Sequence, residues 1–241
     1  MKRFICGLLV SWVFLVGNSA NSEPIFHEVY YPAGDGPFPG LVMLHTSGGY
    51  KTILPRVETY VNNGYAVYTP DFFRRHKITS KNRFETWTTF RKPIEKELVE
   101  ILSLMQKDPK VDPKNLFAVG YSNGGYWATF LAAQGHVNAG VSTFGVWSWP
   151  KTFNGYPAKY LRKDSNPVLA LHGKKETVQR FKNVVPQINK ASSISPTFKY
   201  HYFDNAGHSW DCRPCKKDGF NSEVTAQAVK MTLDFFKTHR K

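Results

Sequence analysis

Short apolar runs separated by turn residues recur along the chain, and they fall into two kinds. Residues 25–31, 41–44, 65–69, 116–119, 139–144, 168–171 and 198–203 are brief, rich in Val, Ile, Leu, Phe and Tyr, and bounded by Gly, Pro, Asn or Asp, which predicts buried strands. Longer segments space their apolar positions three or four residues apart. Ile94, Leu98, Ile101, Leu102 and Met105 mark a helix over 94–106; residues 54–62, 126–133 and 224–237 read likewise. Asn63-Gly64 stops the first helix, and Pro32–Pro37 and Asp112–Asn115 are turn clusters. Alternation of short strands with helices predicts an α/β fold, a mostly parallel central sheet with helices on both faces. No internal repeat interrupts it, so residues 23–241 read as one domain.

One turn carries chemistry. Gly120-Tyr121-Ser122-Asn123-Gly124 lies between the strand ending at Val119 and the helix starting near Tyr126, the G-x-S-x-G pattern of a nucleophile elbow. The chain reverses so sharply there that residues two before and two after the serine have no room for a side chain. The apex Ser122 is left exposed beside the free N–H groups of a helix start. A serine nucleophile needs a base, and the base needs an orienting acid. His208, on the Gly-containing loop Asn205–Ser209 after the last strand, is the candidate base. Glu176, three residues beyond the glycine that ends the 168–171 strand segment, is the candidate acid, with Asp204 in reserve. The order Ser, acid, His is that of the α/β-hydrolases. An oxyanion needs two fixed N–H donors. Asn123 supplies one, and Ser47 or Thr46, on the loop His45-Thr46-Ser47-Gly48-Gly49, supplies the other, with Ser47 favoured.

With these residues in place, the chain resembles the dienelactone hydrolase family of the α/β-hydrolase superfamily. The matching pieces run in order through residues 25–238: 32–40, 45–49, 64–71, 111–125, 171–173 and 206–208. The resemblance implies an α/β-hydrolase fold, ester hydrolysis and no cofactor. Authentic dienelactone hydrolases use a cysteine nucleophile, an oxyanion-loop glutamate and an aspartate acid; here Ser122, Thr46 and Glu176 stand at those positions. Asp71–Arg75 is similar to the family segment whose arginine binds a substrate carboxylate, which implies that role for Arg75, with Arg83 nearby in sequence. Cys212 stands where the second family arginine belongs. The segment 144–150, with Trp147 and Trp149, followed by Phe153 and Tyr156, together with Trp210 beside His208, predicts an apolar acyl or aromatic subsite.

The N-terminus changes the expected compartment. Lys2 and Arg3 precede an apolar run over 4–16 and small residues at 17–22, the layout of a signal peptide over 1–22 and of a periplasmic or secreted product with no membrane span after processing. Cys6 falls inside that segment, which leaves Cys212 and Cys215; in an oxidising compartment they are expected to form a disulfide. No four-ligand metal site is expected. The formal charge of +14, or +12 without Lys2 and Arg3, favours anionic surfaces or substrates, with no nucleic-acid motif beside it. The expected partner is a small ester, with anionic esters included. A peptidase using the same triad and a noncatalytic binding protein on this scaffold are the rival functions; nothing in the sequence sets an oligomeric state.

Overall fold

The computed structural model describes residues 24–149, 156–212 and 219–241. The expected signal segment, Phe153 and Cys215 lie outside the described residues, and so does the expected Cys212–Cys215 pairing.

Seven strands form one sheet: β1 (His27–Tyr30), β2 (Phe38–Leu44), β3 (Ala66–Pro70), β4 (Val111–Tyr121), β5 (Ala139–Thr143), β6 (Val168–Gly173) and β7 (Phe198–Phe203). Their order is β1-β3-β2-β4-β5-β6-β7. β1 runs antiparallel to β3 at one edge, and every other neighbouring pair is parallel. Among the described residues six α-helices accompany the sheet: α1 (Leu54–Val61), α2 (Phe72–Arg75), α3 (Arg91–Lys107), α4 (Asn123–Ala133), α5 (Phe181–Ile194) and α6 (Ser222–Thr238).

Strand alternation divides the core into two layers. Leu41 and Met43 of β2, with Val67, Phe117 and Val119, meet Val57 and Tyr60 of α1 and Val224, Ala228 and Phe236 of α6. Val42 and Leu44, with Ala66, Tyr68 and Ala118, meet the Ile94–Met105 stripe of α3, most of α4, and Val184, Ile188 and Ala191 of α5. Successive side chains on a strand point to opposite faces, so a parallel strand covered on both sides must be apolar at nearly every position.

Four elements differ from the sequence expectation. β4 starts at Val111 and takes in residues 112–115, expected as a turn, with the register against β2 shifting between Pro39 and Gly40. α4 begins at Asn123, not near 126, because the helix starts directly behind the elbow residue; all eleven of its residues are buried. α5 was not among the expected helices; Pro186 and many polar residues lie within it, yet its apolar stripe at 184, 188 and 191 docks on the sheet. α2 is a single short turn whose first residues, Phe72 and Phe73, are buried.

Candidate active site

Four of the loops that leave the carboxyl ends of parallel strands converge, where open α/β sheets present their ligand crevices. They follow β2 (residues 45–49), β4 (122), β6 (174–180) and β7 (204–212).

Ser122 sits at φ 52°, ψ −108°, in the left-handed region that costs a non-glycine residue strain. Its backbone is pinned from three directions: its N–H donates to the Thr143 carbonyl, and its carbonyl accepts from Gly125 and Val146, each at 3.0 Å. The flanking glycines are required by space. A Cβ on Gly120 would lie 1.9 Å from the Gly124 carbonyl oxygen, and one on Gly124 would lie 2.1 Å from that of Leu44. At such distances backbone must move, so the elbow and the end of β2 touch main chain to main chain.

The three predicted side chains form one hydrogen-bonded chain. Ser122 Oγ is 3.0 Å from His208 Nε2, and His208 Nδ1 is 2.7 Å from Glu176 Oε2. The carboxylate can only accept, so Nδ1 carries the proton and Nε2 is free to take one from the serine. Glu176 is held firmly: its Oε1 accepts from the backbone N–H groups of Val178 (2.7 Å) and Gln179 (3.2 Å). Burial alone would push this carboxyl up. The His172 and His208 rings beside it outweigh burial and hold it well below the usual carboxylate range, so it stays ionised. His172, fully buried, lies with Nε2 3.3 Å from Glu176 Oε2; burial pushes its own pKa down and keeps that ring neutral. Asp204, the reserve acid, is exposed and paired with Lys174 at 2.6 Å instead.

Above the serine, the backbone N–H of Asn123 opens α4, and that of Ser47 lies on the loop after β2. As the first residue of α4, Asn123 is one of the helix-start residues whose N–H has no intrahelical acceptor, and among the described residues the Ser47 N–H has no backbone acceptor. Thr46, the alternative donor, spends its N–H on Thr52 Oγ1 at 3.2 Å. The Asn123 carboxamide ties the two donor segments together. Its Nδ2 donates to Ser47 Oγ (3.3 Å) and Thr86 Oγ1 (3.0 Å), and its Oδ1 accepts from Trp127 Nε1 (3.0 Å). His45, at the base of this loop, donates from Nδ1 to the Thr46 carbonyl at 2.8 Å and stacks on Phe72 at 3.8 Å. Burial drives its pKa down to about 4 from 6.5, so the ring is neutral and forms no ion pair with Asp71, 4.0 Å away. Between those two values the unfolded chain takes a proton that the folded ring refuses. Folding stability is therefore expected to fall as pH drops from 6.5 towards 4, by about 3 kcal/mol from this group. Denaturant unfolding of wild type and His45→Phe across that range checks it: the acid loss must be smaller in the variant.

Ser122 and His208 open into a cavity of about 370 Å³. Thr46, Ser47 and Gly48 form one wall, and Arg83, Phe84 and Trp87 another. Val146, Trp149, Val178 and Gln179 close it opposite, with Ser209 beside the histidine. Gln179 locks that last wall to the acid: its Oε1 accepts from the Trp147 and Ser148 amides (2.7 and 3.1 Å), and its Nε2 donates to the Gly145 carbonyl at 2.8 Å.

The expected substrate residues are rearranged. Trp149 lines the cavity, 41 % exposed, its ring 6.1 Å from that of Phe84. Trp147 instead packs edge-on against Phe198, and Trp210 is buried between Phe144 and Phe203; both are core. Arg75 does not reach the cavity, because its guanidinium pairs with Glu100 at 2.7 Å on another face. Among the described cavity-lining residues the cationic side chain is Arg83, half-buried on a short 3-10 turn, its guanidinium 5.1 Å from the centre of the Phe84 ring. Its proximity to Arg75 was the sequence signal for it; Phe84, Trp87, Val178 and Gln179 gave none. Among the described residues no group of three or more His, Cys, Asp or Glu side chains is placed to hold a metal ion, and no helix is long and apolar enough to cross a membrane.

The fold has many solved counterparts. A Klebsiella pneumoniae subsp. pneumoniae protein whose structure carries the dienelactone hydrolase name superposes with a TM-score of 0.76 at 19 % identity, covering 89 % of this chain and 93 % of its own. A dienelactone hydrolase-like promiscuous phosphotriesterase from metagenomic libraries gives 0.67 at 16 %, covering 90 % and 93 %. The propionate-bound thermophilic esterase of Thermogutta terrifontis gives 0.70 at 14 %, covering 98 % and 96 %. A search of the curated proteins finds no significant match. At these identities the structures establish the α/β-hydrolase fold. The family model is more direct: it matches residues 27–240, nearly the whole described chain, and the protein belongs to the dienelactone hydrolase family.

Proposed function

We propose that the protein hydrolyses carboxylic esters through a Ser122–His208–Glu176 triad and an acyl-enzyme. The observation that carries this is the continuous hydrogen-bonded chain from an ionised, buried carboxylate to a strained serine at the floor of an open cavity. Ser122 Oγ attacks the ester carbonyl as its proton passes to His208 Nε2. The imidazolium formed faces Glu176. The oxyanion accepts from the Asn123 and Ser47 amides, fixed donors that need no reorganisation. Collapse breaks the bond to the alcohol, which leaves with the His208 proton. Water, activated by the same histidine, then releases the acid and restores Ser122. No step requires a cofactor.

Hydrolysis of short-chain p-nitrophenyl esters, together with stoichiometric labelling of Ser122 by a fluorophosphonate, tests the reading. Folded protein that does neither refutes it and favours a binding protein. Labelling without ester hydrolysis favours a peptidase on the same triad.

Arg83 narrows the substrate. Its guanidinium, 5.1 Å from the centre of the Phe84 ring in an otherwise apolar wall, favours esters that carry an anion, a carboxylate above all. Arg83→Gln is expected to raise KM for a carboxylated ester about tenfold, a charge-assisted hydrogen bond being worth about 1.5–3 kcal/mol, and to leave a neutral ester of equal size within about twofold. Equal effects on both esters reject this role. The N-terminal pattern supports export to the periplasm or beyond, and with it a Cys212–Cys215 disulfide beyond His208.

A further inference from the structure

Behind the cavity, one arginine touches all three segments on which the proposed chemistry depends. Arg56, on α1, has a side chain only 13 % exposed. Its Nε and Nη2 donate to the two carboxylate oxygens of Asp211 at 2.6 and 2.5 Å, a bidentate pair three residues beyond His208. Its Nη1 donates to the Thr52 carbonyl. Its guanidinium lies 4.5 Å from the centre of the Tyr121 ring, the residue immediately before Ser122. Thr52 carries the connection on to the oxyanion loop. Its Oγ1 accepts from the Thr46 N–H (3.2 Å) and hydroxyl (3.1 Å) and donates to the Gly49 carbonyl (2.7 Å). Thr46 Oγ1 in turn accepts from Gly48 N–H at 3.0 Å, so both neighbours of Ser47 are fixed.

We propose that Arg56 is a positioning residue: through Thr52, Tyr121 and Asp211 it sets the oxyanion loop, the nucleophile and the histidine loop in one mutual geometry. It touches no reacting atom. Stability is a poor reason for such a group. Desolvating an arginine and a carboxylate costs about what their attraction returns, and apolar replacements of buried pairs are often neutral. Geometry is a better reason, because displacement of a donor or base by about 1 Å costs a rate on the order of a hundredfold. Asp211 fixes a loop whose residue Ser209 already sits at φ 56°, a conformation that needs external support.

The inference rests on the proposed esterase reading for its rate consequences, and its structural core is tested without them. Hydrogen–deuterium exchange is followed in wild type, Arg56→Met, Asp211→Asn, Thr52→Val and Thr52→Ser, alongside kcat and KM on a p-nitrophenyl ester. Arg56→Met is expected to speed exchange in both 46–53 and 207–212, with the β4–β5 core unchanged, and to lower kcat about ten- to a hundredfold at a KM within about twofold. Asp211→Asn is expected to lower kcat in the same way and to loosen 207–212. Thr52→Val is expected to loosen 46–49 and lower kcat, and Thr52→Ser, which keeps the hydroxyl, to restore both. Uniform faster exchange across the chain, a change confined to one of the two loops in Arg56→Met, or a KM effect with kcat kept overturns the proposal. If Arg56→Met does not fold, the Thr52 pair decides: equal behaviour of the valine and serine variants overturns it. Wild type that is inactive on esters but shows the expected exchange pattern refutes the esterase reading and leaves the coupling of the loops intact.

Discussion

Ser122→Ala is expected to remove ester hydrolysis almost completely, lowering kcat by about 10⁶ toward the level left by binding and the oxyanion donors. The loss is chemical, not structural. Among the described residues Ser122 Oγ makes a hydrogen bond to His208 and none to the scaffold, whereas the backbone of residue 122 is held by Thr143, Gly125 and Val146. Alanine tolerates φ 52° no better and no worse than serine, so the thermal midpoint should move little. The check is ester turnover beside circular dichroism on the same preparation. A variant that keeps a hundredth of wild-type activity places the nucleophile elsewhere. A variant that loses activity and fold together leaves the serine untested, and Ser122→Cys then takes its place as a nucleophile of the same shape with altered leaving-group preference.

Glu176→Gln is expected to cost about 10⁴ in kcat, and the reason lies in how the carboxylate is held. Oε1 already accepts two backbone N–H groups, from Val178 and Gln179. A carboxamide must keep its oxygen there and turn its NH₂ toward His208. Facing a donor, Nδ1 must then accept, which moves the ring proton to Nε2 and points it at Ser122. The histidine is left in the tautomer that cannot take the serine proton. Glu176→Asp shortens the side chain but keeps an acceptor, and is expected to retain more activity than the glutamine variant. The reverse order excludes the tautomer argument. The carboxylate also contributes to folding stability. Because its pKa is depressed in the fold, that contribution is complete above the ordinary carboxylate range and is lost as pH falls toward the lowered value. Chemical denaturation at pH 7 and pH 3 measures it, and Glu176→Gln should show a smaller decline.

The sheet was legible because a buried parallel strand must be apolar on both faces, and few soluble segments other than strands are short, apolar and bracketed by turns. Residues 168–171, inside the fully buried β6, were found on that basis. The meeting of Ser122, Glu176 and His208 followed from chain order, since each ends its own strand on the same edge of the sheet. What the pattern did not carry is side-chain direction over short connecting turns. Arg75 and Arg83 are eight residues apart on two brief helical turns; one pairs with Glu100 outside and the other lines the cavity. Nothing in their spacing tells them apart, because neither turn is long enough to establish an apolar stripe. Two of the three tryptophans, Trp147 and Trp210, depart from the expectation for a related reason. Aromatic residues near a site serve as core and as cavity wall alike, and only the path of the loop puts Trp149 outside while Trp147 and Trp210 are covered. α5 was hidden by its composition: Pro186 and many polar residues mask a stripe of only three buried positions.

The contact between Gly124 and the end of β2 separates the parts of this protein that can diverge from those that cannot. Where two backbones meet with no room for a methyl group, substitution has no small steps, and the machinery around Ser122 is closed to gradual change. The cavity walls are supplied by side chains on turns and loops, Arg83, Phe84, Trp149 and Val178 among them, and each can be exchanged without moving main chain. Altered substrate range is therefore reachable by single replacements at those positions. A library confined to them would sample new specificities on an unchanged reaction, whereas one spread over residues 120–125 would sample mostly unfolded chains.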